Sequence, residues 1–179
     1  MSLHAPEPLT IDGGDLYFGI VAARYNSELV DALIARVQAV LAGAGVPADN
    51  IELERVPGSN EIPYLATMMA ATRQYDCLIA LGVVIAGGTT HHEIIAQSTA
   101  AVLHQVGMQT ECPVINGILT VDSLDQAAER ITGTIDRGAE YAQAALEMAR
   151  HKLKYTRMLD ELDAEAAKND DLDNLFHSN

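Results

Sequence analysis

Four compact apolar runs, Leu16–Ala22, Ile51–Val56, Cys77–Ile85 and Pro113–Leu119, limit what this chain can fold into. Each has the length of one strand, and each reads as buried on both faces rather than alternating between apolar and polar. A strand hidden on both sides needs cover from two directions, so the runs predict a parallel sheet between layers of helix. The intervals supply the helices. Leu29, Leu33, Ile34, Val37 and Leu41 share one stripe at helical spacing, which Gly43 and Gly45 close. Ile62, Leu65 and Met69 make a second stripe. Ile94, Ile95, Val102 and Val106 belong to a third that ends near Gly107. Ser123-Leu-Asp-Gln126 reads as a capping box opening a short helix. After a loop at Thr132–Thr134, the residues Ile135, Ala139, Ala142, Leu146, Ala149 and Leu153 recur every three or four positions. Strands alternating with helices predict an α/β layered sandwich with right-handed crossovers.

The chain of 179 residues suits a single domain with a substantial core. Its net charge of −14 argues against nucleic acid or an anionic membrane as partner, since both would be repelled. An anionic substrate would have to be met by a few locally placed bases. Cys77 and Cys112 each precede an apolar run and read as buried free thiols in a reducing compartment. No basic stretch followed by an apolar one opens the sequence, and no apolar run approaches the ~20 residues of a membrane helix. A soluble, cytoplasmic protein is expected. Residues 1–14, with Pro6 and Pro8, read as a mobile head and residues 15–155 as the folded domain. Residues 156–179 read as an acidic extension, mobile beyond about Ala166.

The stretch Ile85-Ala-Gly-Gly-Thr-Thr-His-His-Glu93 carries the chemistry. It turns a buried strand into a glycine loop and then into a helix with a histidine on its first turn. Exposed amides at a helix N-terminus attract an anion, typically phosphate, and an imidazole shuttles protons near neutral pH. Thr90 and Glu93 fit a capping box, which sets Gly87, Gly88 and Thr89 before the helix and His91 on it. The glycines there permit positive φ and a close backbone approach to an oxyanion. A zinc-protease reading fails, because the second histidine of His-Glu-x-x-His is Ala96 here. His104, further along this helix, reads as a surface or boundary residue.

Other candidates stand at the C-terminal ends of strands, where open parallel sheets bind ligands. Arg130 and Arg137 flank the loop before the last helix and suit phosphate clamps, although arginines at helix ends also serve simply to complement dipoles. Glu61, in Val56-Pro-Gly-Ser-Asn-Glu-Ile-Pro63, is placed to accept bonds from a polyhydroxyl chain. Aromatic residues make up only 4% of the chain, which singles out Tyr25 as the side chain to stack on a flat ring.

Together these motifs resemble the lumazine synthase family over roughly Leu16–Lys152. The residues that carry the resemblance are Ala23-Arg-Tyr-Asn26, Val56–Pro63, Ala80-Leu-Gly-Val-Val-Ile-Ala-Gly-Gly-Thr-Thr-His91, Pro113-Val-Ile-Asn-Gly-Ile-Leu-Thr120 and Asp125-Gln-Ala-Ala-Glu-Arg130. The resemblance implies a flavodoxin-like three-layer sandwich around a four-stranded parallel sheet. It also implies assembly at least as a pentamer, with active sites between neighbouring subunits. Such enzymes condense 5-amino-6-ribitylaminouracil with 3,4-dihydroxy-2-butanone 4-phosphate, without a cofactor or metal. Carried onto this chain, Tyr25 would stack on the pyrimidine while the backbone at Val84 and Ile85 bonds its edge, with Val83 also among the substrate-binding residues. Asn26, Ser59, Asn60 and Glu61 would line the same pocket, Ser59 and Glu61 holding the ribityl chain. Gly88 and Thr89 would bind phosphate with Arg130 of the adjacent subunit, and His91 would shuttle protons. Arg137 matches a family lysine.

Three positions depart from the family pattern. Asn60 replaces a common aromatic residue, Asn116 stands where Phe or Leu usually lines the neighbour's pocket, and Ala86 replaces a usual basic residue. The asparagines make the pocket wall more polar. They motivate the alternative reading, a non-catalytic flavin or lumazine binder or a shell-forming scaffold. Cues for assembly pull apart: Pro6 and Pro8 hinder strand addition to a neighbour, whereas the short loop before Arg137 leaves room for a closed shell.

Overall fold

A computed structural model of the chain describes residues 7 and 9–176, with side chains described as far as residue 167. Pro6, Pro8 and residues 1–5 and 177–179 lie outside the described residues. In chain order the elements are β1 (Phe18–Ala23), α1 (Ser27–Gly43), β2 (Ile51–Val56), α2 (Ile62–Ala71), β3 (Cys77–Ile85), α3 (His91–Thr110), β4 (Val114–Val121), α4 (Leu124–Ile131) and α5 (Arg137–Phe176). Single 3-10 turns at Ala48–Asn50 and Ser59–Glu61 lead into β2 and α2.

The four strands form one parallel sheet in the order β2-β1-β3-β4. Alternation of side chains across the sheet explains the layers. Phe18, Ile20 and Ala22 of β1 and Cys77, Ile79, Leu81 and Val83 of β3 point to one face, where Val30, Leu33, Val37 and Leu41 of α1 and Ala142, Leu146 and Ala149 of α5 cover them. Val21, Ala23, Leu78 and Ala80 point the other way, against Ile62, Ala66 and Met69 of α2 and Leu103 and Val106 of α3. The result is the expected three-layer, flavodoxin-like sandwich. Each fully buried Leu or Ile in these layers contributes about 1.5–3 kcal/mol relative to an exposed one.

Burial on both faces holds for β1 and β3, the two central strands. It fails for β2, where Glu52, Leu53 and Glu54 are exposed, because that strand is an edge with only β1 beside it. Charges on an edge strand discourage pairing with foreign chains. Leu16 is fully buried but precedes β1, since Tyr17 is drawn out of the ladder by Asp76: the Tyr17 N–H donates to the Asp76 carboxylate at 2.9 Å, and the Asp76 N–H to the Tyr17 carbonyl at 2.8 Å.

Helix ends also differ from the sequence expectations. Helix α3 runs past Gly107 to Thr110, and α5 starts at Arg137 rather than Ile135 and continues beyond Ala166 to Phe176. Ser123 does cap α4, accepting from the Gln126 N–H at 3.2 Å, but the Gln126 side chain returns to the Asp122 N–H at 3.1 Å rather than to Ser123. Cys77 and Cys112 are free and buried, and loss of solvent pushes both thiols above the usual range. Neither is a nucleophile at neutral pH. His104 is exposed. No helix among the described residues is long and apolar enough to cross a membrane.

Candidate active site

The C-terminal ends of β1, β2 and β3 open onto a cavity of about 510 Å³. Backbone pairing continues just past each strand and brings the connecting segments side by side. The Arg24 N–H donates to the Val56 carbonyl at 2.9 Å, Tyr25 N–H to the Pro57 carbonyl at 3.2 Å, and Ala86 N–H to the Val121 carbonyl at 2.9 Å. The first two bonds set residues 24–26 beside Val56 and Pro57, the third ties the end of β3 to β4, and residues of all three connecting segments line the one cavity.

On the cavity rim Tyr25 is 74% exposed, its ring lying over Gly58, where a Cβ would come within 3.3 Å of the ring carbon Cδ2. Asn26 opens α1 in the left-handed region, φ 54° and ψ 45°, which asparagine tolerates better than most residues. Its amide Nδ2 donates to the Val83 carbonyl at 2.8 Å, lashing the end of β1 to β3. Ser59 is buried, with Gly82 of β3 packed against its hydroxyl. Glu61 accepts the Gly58 N–H at 2.8 Å through one carboxylate oxygen, which holds the tight turn after Pro57.

Opposite them stands the loop into α3. The anticipated Thr90–Glu93 capping box is absent: Thr90 makes no side-chain cap. The turn is instead fixed around Thr89, whose hydroxyl accepts from the His91 N–H at 3.5 Å and whose carbonyl meets His92 Nδ1 at 3.0 Å. Gly87 and Gly88 do not take the positive φ expected of them, because that kind of turn is not built here. A Cβ at either would meet nothing within 4 Å among the described residues, so no contact within the chain requires a glycine. Both are exposed, as is His91 on the first turn of α3.

The cavity thus gathers Tyr25, Asn26, Ser59, Asn60, Glu61, Val83, Val84, Ile85, Thr89 and His91 of the residues singled out in sequence. Gly88 is on the loop but not on the cavity wall. His92, Ile95, Gly58 and Gly87 line it as well. Gly58 and Gly87 sat inside motifs already recognised, and Ile95 follows His91 by one helical turn, a spacing that could have found it.

Three candidates do not reach this cavity within one chain. Asn116 pairs with Ala80, five positions before the Ile85–Val121 level of the sheet, or roughly 16 Å along the strand. Its Oδ1 accepts the N–H of Ile118 at 3.1 Å. Arg130 ends α4, donating from Nη1 to the Gln126 carbonyl at 3.0 Å. Arg137 opens α5 in an ion pair with Glu140. All three belong to the β4–α4–α5 side of the domain.

Residues 15–152 match the sequence profile of the 6,7-dimethyl-8-ribityllumazine synthase family. A protein of that name from Nitrosospira multiformis is 41% identical over 153 residues, 86% of this chain and 91% of the relative. One from Paracidovorax citrulli is 40% identical over 139 residues, 78% of this chain and 88% of its own length. One from Xylella fastidiosa is 43% identical over 132 residues, 73% of this chain and 86% of its own length.

Proposed function

The chain belongs to the 6,7-dimethyl-8-ribityllumazine synthase family, and from that premise we propose that it condenses 5-amino-6-ribitylaminouracil with 3,4-dihydroxy-2-butanone 4-phosphate in riboflavin biosynthesis. The observation that carries this reading is the convergence of Tyr25, Ser59, Glu61, the end of β3 and His91 on one cavity. The pyrimidine stacks on Tyr25 and bonds the backbone of Val83, Val84 and Ile85. Its ribityl hydroxyls reach Ser59 and Glu61, with Asn60 on the same wall. Asn26 serves as a positioning residue, since its amide is taken by Val83.

The phosphate of the second substrate lies against the amides of Gly88 and Thr89, where the dipole of α3 favours negative charge. In a chain of net charge −14 this attraction has to be local. Arg130 of the partner subunit completes the phosphate site, with Arg137 nearby. Supporting that division, Asn116, Arg130 and Arg137 lie away from the cavity of their own chain, so a site using all of them needs two copies. The assembly is a pentamer or a multiple of it, working in the cytoplasm. The folded unit is residues 15–155, with residues 156–179 as an extension.

Two reactants held side by side supply much of the rate. His91 adds proton transfer during imine formation and phosphate loss, worth about 10²–10⁴-fold. No cofactor is needed. Mixing the purified protein with both substrates and following the lumazine chromophore tests the reading. Product is expected. Tight flavin or lumazine binding without turnover would instead make the protein a non-catalytic binder, and riboflavin formed from lumazine alone would make it a dismutase.

A further inference from the structure

Past Leu153, α5 leaves the body of the domain. Every described side chain from Lys154 to Ala167 is exposed. Yet the segment is not uniformly polar: Tyr155, Leu159 and Leu162 are 54%, 60% and 59% open to solvent. With Ala166 they fall at i, i+4, i+7 and i+11, one stripe along the helix, and Met158 borders it. The overhang from Lys154 to Phe176 extends about 34 Å at 1.5 Å per residue. Over its described side chains, residues 154–167, the overhang has no packed face, and a helical segment without one is marginal in water. An uncovered apolar stripe on it calls for a partner.

The charges beside the stripe say which partner. Lys154, Glu161 and Glu165 are separated by seven and four residues, so they lie along the same border of the stripe. In an antiparallel pair related by a two-fold axis, each border meets the same border of the other helix. With the axis between Met158 and Leu159, Tyr155 stands level with Leu162 of the other copy, and Met158 with Leu159. Lys154 then stands level with the gap between Glu161 and Glu165 of the other copy, twice by symmetry. A parallel pair would set each border against the opposite border of the other helix, so Lys154 would no longer face Glu161 and Glu165.

We propose that the α5 overhang is a self-complementary interface that pairs antiparallel with the same segment of a second copy. It lies beyond residues 15–152, the part matched by the family profile, and is independent of the active-site reading. The segment thereby links subunits, through an apolar seam edged by crossed charges.

Disulfide trapping on the full chain tests this, since both native thiols are buried and stay silent. Under mild oxidation Leu159→Cys, beside the axis, should give linked dimers in a yield independent of dilution. Tyr155→Cys alone should give none, and a mixture of Tyr155→Cys with Leu162→Cys proteins should cross-link. Adding Lys154→Glu to Leu159→Cys should lower the yield several-fold, and adding Glu161→Lys and Glu165→Lys to that variant should restore it. Efficient Tyr155→Cys self-linking, no dimer from Leu159→Cys, or failure of the charge reversal to restore the yield would overturn the proposal. Retained activity in these variants would show that the fold and the active site are intact.

Discussion

Gly82 and Ser59 are packed so closely that a Cβ on Gly82 would stand 2.4 Å from the Ser59 hydroxyl oxygen and 3.4 Å from its Cβ. The strand thereby decides where that hydroxyl points.

The Gly82→Ala variant should force the Ser59 side chain into another rotamer while sparing the backbone. A stability loss of about 1 kcal/mol is expected, read from the urea midpoint, together with a several-fold higher KM for the pyrimidine substrate. Adding Ser59→Ala should restore stability and leave the KM raised. Unchanged KM in the single variant would separate Ser59 from substrate binding.

Asn26 combines a left-handed backbone with the 2.8 Å bond to the Val83 carbonyl. Asn26→Ala loses both the tolerance and the bond, at about 2 kcal/mol. Asn26→Gly keeps the backbone relaxed and should cost about half as much. Equal losses in the two, measured by chemical denaturation, would mean that the backbone conformation contributes nothing.

His91 and Arg130 should fail differently. His91→Ala removes proton transfer but not proximity, so a fall in kcat with little change in affinity is expected. Arg130→Ala should instead weaken binding of the phosphorylated substrate severely. Steady-state kinetics with unchanged KM for that substrate in Arg130→Ala would contradict the shared-site arrangement.

Asp136 joins α1 to the start of α5. It accepts from Arg36 Nε at 2.6 Å and from the Ala139 N–H at 3.0 Å. The Arg36 guanidinium, followed by the Ala139 amide, holds this carboxyl below the usual carboxylate range against the opposing effect of burial. A depressed folded pKa stabilises the protein above the unfolded value of about 3.9, and that contribution is lost as pH falls through the lower folded value. Thermal melts should therefore show wild-type stability falling below about pH 4. The Arg36→Ala variant should show a shallower fall over the same interval. Both groups are well exposed, so the difference will be small.

The central strands were legible because burial on two faces leaves an unbroken apolar run, as in Cys77-Leu-Ile-Ala-Leu. Edge strand β2 reads Ile-Glu-Leu-Glu-Arg-Val, so its charged residues already argue against burial on both faces, and Glu52, Leu53 and Glu54 do face water. The cavity wall was mostly legible because its residues fall in short motifs at strand ends. The capping error at Thr90 arose because two adjacent threonines offer the same chemistry, and only the path of the loop selects Thr89. The Gly82–Ser59 contact lay out of reach, because it joins two segments more than twenty residues apart. Nor did the core-facing periodicity that ended at Leu153 reveal how far α5 continues, since the apolar residues beyond it, Tyr155, Leu159 and Leu162, fall on the opposite face of the helix.

Asn116, read from sequence as a blemish in an apolar wall, has a second consequence through its bond to the Ile118 N–H. Strand β4 closes one margin of the sheet, with only β3 beside it. An outside chain seeking to extend the sheet there finds this amide already engaged. In the two-copy site proposed above, replacing the asparagine by leucine would restore a greasier wall at the expense of reopening that margin, trading tighter ligand capture for a stickier protein.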